Sequence, residues 1–156
     1  MKTIELIYVS DFDDTVKPFY FSNLYANCFT GVGGMKYLYL GANGTSIEGA
    51  AFAGSSIETL VITELSMSSG SIFSGTNNLK NVWISLGSWG WLDAYTFTDL
   101  ETDVNFYFYD MTYEEAVMAT FDDAWFKNAS EKAHFYFKDT MPVDVEIPED
   151  VKKDMQ

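Results

Sequence analysis

The chain has one cysteine, one histidine and three prolines in 156 residues. The single thiol, Cys28, excludes an internal disulfide, and no Cys/His set has the spacing of a metal site. A thiol–imidazole catalytic pair needs its two side chains together, and Cys28 and His134 flank the repeated region from opposite ends. Basic residues are scarce: Lys plus Arg number 9 against 23 Asp plus Glu, for a net charge of −14. Such a surface repels phosphate backbones and argues against nucleic-acid partners. No apolar run reaches the roughly 20 residues that cross a bilayer, so no membrane insertion is expected. No phosphate-binding glycine loop precedes a helix, and no cofactor is expected. The first residues, Met1 to Asp11, lack the apolar core and cleavage site of a signal peptide. The expectation is therefore a chain cut from a longer precursor, or one that acts in the cytoplasm or in a virus particle.

What the chain does have is apolar bulk and a repeat. Hydrophobic residues make up 47% and aromatics 17%, enough for one domain with a real core. The acidic surface keeps so aromatic a chain soluble. Phe29, Phe52, Phe73 and Phe97 stand 23, 21 and 24 residues apart. The first three each start a Phe-x-Gly, ending at Gly31, Gly54 and Gly75, and an apolar-x-apolar pair follows each unit: Leu38/Leu40, Leu60/Ile62, Val82/Ile84 and Phe106/Phe108. A period of this size marks stacked repeats. The apolar-x-apolar pair has period two and reads as a short strand with one buried face. The Phe-x-Gly part reads as a compact turn or short helix dropping one ring inward, with glycine at positive φ. One unit cannot bury its own ring and strand face, so neighbours must stack, with strands parallel along the stack. Cys28 precedes the first anchor ring and is expected to be a small buried thiol.

The pattern resembles the BspA-type leucine-rich repeat. Gly49-Ala50-Ala51-Phe52-Ala53-Gly54 with Ile57, Leu60 and Ile62 carries the match, and Cys28 to Gly31 and Ile72 to Leu79 repeat it. The resemblance covers about residues 24–109. It implies an α/β repeat fold, a leucine-rich-repeat-like right-handed solenoid with a parallel sheet on one face and a C-terminal capping helix. It further implies a surface protein, with a cell-surface or extracellular location and roles in adhesion or protein binding. Architecture of this kind does not settle the job.

The division expected along the chain is one domain over residues 1–141 and an extended acidic tail over 142–156. Within the domain, a strand at 3–10 precedes repeats over about 22–109 and a cap over 110–141. Asp11-Phe12-Asp13-Asp14-Thr15 resembles the nucleophile motif of haloacid-dehalogenase-like phosphatases, which implies attack on phosphate by the first Asp, acid/base work by the second, and Mg²⁺. No convincing downstream Lys and acidic metal pair accompanies it, and a polar turn is the competing reading. Asn43-Gly44-Thr45 signals a tight turn between units, and Gly87 to Trp91 a longer loop. Asn43 and Asn128 also head glycosylation acceptor triplets, which matter only in a secreted eukaryotic protein. Thr112 and Glu115 fit a capping box, opening one amphipathic helix with Val117, Phe121, Ala124 and Trp125 on its apolar face. Ala133, Phe135 and Phe137 alternate as a last strand.

Period two also says which residues point away from the core. They are Tyr8, Tyr39, Val61, Trp83, Tyr107 and Tyr136 in one column, and Leu6, Tyr37, Thr59, Asn81, Asn105 and His134 in another. An exposed strip built on Tyr8, Tyr37, Tyr39, Trp83, Tyr107 and Tyr136 suits a protein or carbohydrate partner. Trp89 and Trp91 form a second candidate, as an exposed loop tip. The competing reading is a ladder of like side chains that stabilises the sheet without any ligand. Self-association through the strip is a third. No catalytic residues and no metal ligands are assigned. The leading expectation is a non-enzymatic binding or adhesion module. A structural component of a larger assembly, such as a virion surface or decoration protein, comes next, and the phosphatase last.

Overall fold

Period-two stretches of leucine, isoleucine, valine and aromatics become strands here, and every strand pairs with its neighbour in parallel. The computed structural model describes residues 6–10, 23–30, 33–34, 36–120 and 124–155. The strands are β1 (Leu6–Ser10), β2 (Asn23–Leu24), β3 (Tyr37–Glu48), β4 (Thr59–Ser69), β5 (Asn81–Trp91), β6 (Val104–Phe108) and β7 (Ala133–Phe137). The helices are α1 (Tyr113–Thr120), α2 (Ala124–Lys127) and α3 (Glu149–Asp154). One sheet runs β1-β3-β4-β5-β6-β7, with β2 on the second half of β3. The chain is thus an α/β protein built on a parallel sheet, with strands added in chain order along the main path.

Register follows the repeat. Leu38 pairs with Ile7 and Leu60, Leu60 with Val82, Val82 with Phe106, and Phe106 with Phe135. Leu38, Leu40, Leu60, Ile62, Val82, Ile84, Phe106 and Phe108 are all buried in one cluster. The anchor rings stack into the same cluster: Phe29 on Phe52 at 5.5 Å, Phe52 on Phe73 at 6.3 Å, and Phe73 on Phe97 at 6.2 Å. Full burial of one such ring contributes about 1.5–3 kcal/mol. The turns carrying them bond to each other as well. Phe29 N–H donates to the Ala51 carbonyl, Ala50 N–H to Ser71, and Gly54 N–H to Gly75.

Gly54 and Gly75 adopt φ of 71° and 78°, as the Phe-x-Gly reading expects. Asp99 holds the equivalent place after Phe97, at φ 57°. Aspartate is among the few residues with a side chain that enter this region readily, so the fourth copy keeps its turn without glycine. Gly31 lies outside the described residues.

Several expectations are corrected. Asn43 to Thr45 is not a turn between units. β3 continues through it, with register shifts between Gly41 and Thr45 and between Thr45 and Ser46. Gly87 to Trp91 is strand as well, the end of β5. Cys28 is exposed, whereas Ala51 and Ile72 at the same repeat position are fully buried. Those two lie between neighbouring units, and Cys28 sits on the outermost described turn. Of the expected capping helix the structure describes two helical segments, α1 and α2, and residues 121–123 between them, Phe121 included, lie outside the described residues. The capping box itself forms: Thr112 N–H donates to Glu115 Oε2 at 2.7 Å and Glu115 N–H to Thr112 Oγ1 at 3.2 Å. Phe126 of α2 stacks on Phe97 at 6.3 Å and 10°, adding a fifth ring to the column.

Candidate functional site

The two outward columns form as the alternation requires. Tyr8, Tyr39, Val61, Trp83, Tyr107 and Tyr136 are register partners across β1, β3, β4, β5, β6 and β7. Leu6, Tyr37, Thr59, Asn81, Asn105 and His134 are partners in the same way. Trp83 stacks on Tyr107 at 4.1 Å and 15°, and Tyr107 on Tyr136 at 5.2 Å and 19°. In the second column the Asn105 amide donates to Asn81 Oδ1 at 3.3 Å. His134 reaches Asp103, not another column residue, at 3.0 Å.

This face is not an open strip. The segment expected to be an extended acidic tail folds back across it. Met141, Val145, Ile147 and Val151 pack with Val61, Trp83, Tyr107 and Tyr109 into a second hydrophobic cluster, with Tyr37, Tyr39 and Tyr136 at its margin. Trp83 is left 2% exposed, Tyr107 4% and Val151 0%. The physical reason is the one that makes an aromatic strip costly in water: large rings gain by being covered, and a valine, an isoleucine and a helical turn from the same chain are within reach. Met141, Val145, Ile147 and Val151 therefore belong to the packing of this sheet face rather than to an extended tail.

Two phenols fasten the strap. Tyr37 Oη donates to Asp150 Oδ2 at 2.7 Å, and Tyr109 Oη to Asp154 Oδ2 at 2.6 Å. Loss of solvation, and then the nearby Tyr39, push the Tyr37 phenol up to about 12. Tyr109 rises further, through burial first and the Asp154 carboxylate next. Both phenols stay protonated and remain donors. Asp110 lies at the same end. Loss of solvation, followed by the charges of Asp154 and Glu115, pushes its carboxyl up to about 6, against the opposing effects of a backbone hydrogen bond and Lys138.

Between strap and sheet a cleft of about 410 Å³ stays open. Tyr37, Thr59, Asn81 and Trp83 line its sheet side, and Val145 to Glu149 with Lys152 line the other. Lys152 Nζ is held 3.0 Å from Glu149. The cleft joins ring surface, a hydroxyl, an amide and charges of both signs.

Of the residues singled out from sequence, Tyr37, Tyr39, Trp83, Tyr107 and Tyr136 come together around the strap. Tyr8 is in backbone register with Tyr39, but its side chain is outside the described residues, as are those of Trp89 and Trp91. Asp11, Asp13 and Thr15 also lie outside the described residues. Sequence reasoning missed Tyr109, Asp150, Val151 and Asp154. Tyr109 continues the outward alternation from Tyr107, and that parity was the available signal for it. Among the described residues no group of three or more His, Cys, Asp or Glu is placed to hold a metal ion. Among them, too, no helix is long and apolar enough to cross a membrane. No family model matches the chain, and no curated protein or solved structure matches it.

Proposed function

We propose that the chain is a leucine-rich-repeat-like right-handed solenoid of the BspA type, working as a non-enzymatic binding module for a protein or carbohydrate partner. The recognition site is the cleft between the outer face of the sheet and the strap. One observation carries this reading: at about 410 Å³ the cleft is of ligand-pocket size, and Tyr37, Thr59, Asn81 and Trp83 meet in it from consecutive strands. A ring beside an amide and a hydroxyl suits a peptide or a sugar, each of which offers apolar surface and hydrogen-bonding groups together.

The test is selection of ligands for the whole chain from peptide-display and glycan libraries, followed by hydrogen exchange with the selected ligand. Protection over Thr59 and Asn81, and at least tenfold weaker binding by Asn81→Ala at unchanged melting temperature, is the expected result. A Mg²⁺-dependent phosphatase activity abolished by Asp11→Asn, with no ligand from either library, overturns it.

A second reading is a structural component of a larger assembly, such as a virion surface. The near-complete burial of Trp83 and Tyr107 favours it, because rings covered within the chain stabilise the stack and are not offered to a partner.

A further inference from the structure

The strap has the properties of a bound peptide. α3 has six residues, and its cap residue Pro148 makes no side-chain hydrogen bond. Helices shorter than about 12 residues are marginal in water on their own. The groove therefore holds α3 in shape through one buried valine and two carboxylates. Asp150 and Asp154 stand four apart, one turn of a single helix face, and each accepts a hydrogen bond from a fixed phenol. Val151 enters the ring cluster between them, while Val145 and Ile147 lead in ahead of Pro148. Lys153 is exposed on the far side of α3, and Lys152 stands at the rim of the cleft beside Glu149.

The occupant fits imperfectly in charge. Asp144, Glu146, Glu149, Asp150 and Asp154, offset in part by Lys152 and Lys153, leave the segment net negative within a chain whose total is −14. A segment keeping the two bonded carboxylates and the apolar anchors, with fewer other acids, makes the same contacts against less repulsion.

We infer that the outer face is a peptide groove with residues 141–155 as its intramolecular ligand. Its external partner is a protein segment of the same chemistry, apolar residues leading into a helical turn with two carboxylates four apart. This rests on the outer face being a recognition surface and adds what is recognised. The strap competes from a tethered position, where effective concentrations reach the millimolar range, so it sets the threshold a partner must exceed.

The probe is a labelled peptide with the sequence of residues 141–155, followed by fluorescence anisotropy. It is titrated against the whole chain, against Val151→Asp, and against the milder Asp150→Asn/Asp154→Asn pair, both of which release the tethered strap. The peptide is expected to bind the released chains at least tenfold more tightly than the unaltered one. A peptide with asparagine at both carboxylate positions is expected to lose at least tenfold on the same chains, and the original peptide about fivefold when Tyr109→Phe is added. The inference is overturned if both released chains still melt cooperatively and show no gain in peptide binding. It is overturned equally if both lose cooperative melting, since the strap is then an inseparable part of the fold. A wild-type dimer in sedimentation that Val151→Asp dissociates makes a second copy the occupant and overturns the external partner. A library ligand that protects Asn81 while the peptide fails leaves the binding-module reading standing without this inference.

Discussion

The phenol of Tyr37 donates a hydrogen bond to Oδ2 of Asp150 across 113 positions of sequence, at 2.7 Å. It ties the second strand of the sheet path to the last helix. With the Tyr109–Asp154 bond it fastens an acidic segment onto the outer face of the sheet. A hydrogen bond to a charged group contributes about 1.5–3 kcal/mol when buried, and solvent around half-exposed Asp150 and exposed Asp154 reduces that. Tyr37→Phe and Tyr109→Phe should each cost about 1 kcal/mol in urea unfolding. Amide exchange over residues 149–154 should speed up in both variants while exchange in β4 and β5 stays unchanged.

Trp83→Ala should behave as a core substitution. The ring is 2% exposed and stacked at 4.1 Å on Tyr107. The expected loss is about 3–5 kcal/mol, the range for emptying a large aromatic site. Chemical denaturation measures it, and a loss below about 1 kcal/mol would show that the strap does not cover this ring.

Phe52→Ala should fall in the same range of about 3–5 kcal/mol. Phe29→Ala should cost less, because Phe29 stacks on one described neighbour where Phe52 and Phe73 each lie between two. Comparing the two variants by urea midpoint tests the column directly: equal losses would contradict it.

Gly75→Ala should destabilise although alanine is small. The added Cβ would lie 2.8 Å from Ala53 Cβ, and the backbone is at φ +78°. The left-handed region alone costs roughly 1–2 kcal/mol for a residue with a side chain. Thermal melting of Gly75→Ala beside Gly33→Ala, where an added Cβ meets nothing within 4 Å, separates a specific clash from a general glycine effect.

Stability should depend on pH through Asp110. Its carboxyl titrates near 6 in the folded chain against an ordinary 3.8. Between those values the folded state holds a proton that the unfolded state has released. The contribution is present in full below about 3.8 and is lost as pH rises through about 6. Asp110 is an exposed residue, so solvent screens part of the effect. Asp110→Asn should match the unaltered chain near pH 4 and exceed it in urea midpoint at pH 7. A constant difference across that range would assign the stability change to something other than this carboxyl.

The strand register and the ring column were legible because each is a local pattern repeated. Leu38/Leu40 and Leu60/Ile62 declare a buried face by parity alone, and Phe29, Phe52, Phe73 and Phe97 declare a column by spacing. The same parity identified Tyr39, Trp83 and Tyr107 as outward residues. It could not say what lies on top of them. Val145, Ile147 and Val151 are spread among carboxylates, too thin for a periodic signal, and their partners are strands far back in the chain. Phe126 was hidden for a related reason: its distance from Phe97 departs from the repeat, and it reaches the column from a helix. The Gly87–Trp91 stretch misled through composition, since glycine and serine suggest a loop while β5 runs on through it and Trp91 pairs with Met67 of β4.

The strap also changes how the molecule should bear tension. The sheet path begins with β1 and ends with β7, at opposite edges, so force applied to the first and last strands pulls across the rows of interstrand bonds and opens them one row after another. From beyond β7 the strap returns over β6, β5 and β4 to reach Tyr37 on β3. It spans those rows as a tie rod spans masonry courses. Pulled from the C-terminal side, the chain must first strip this tie, and only then can the strands peel away singly.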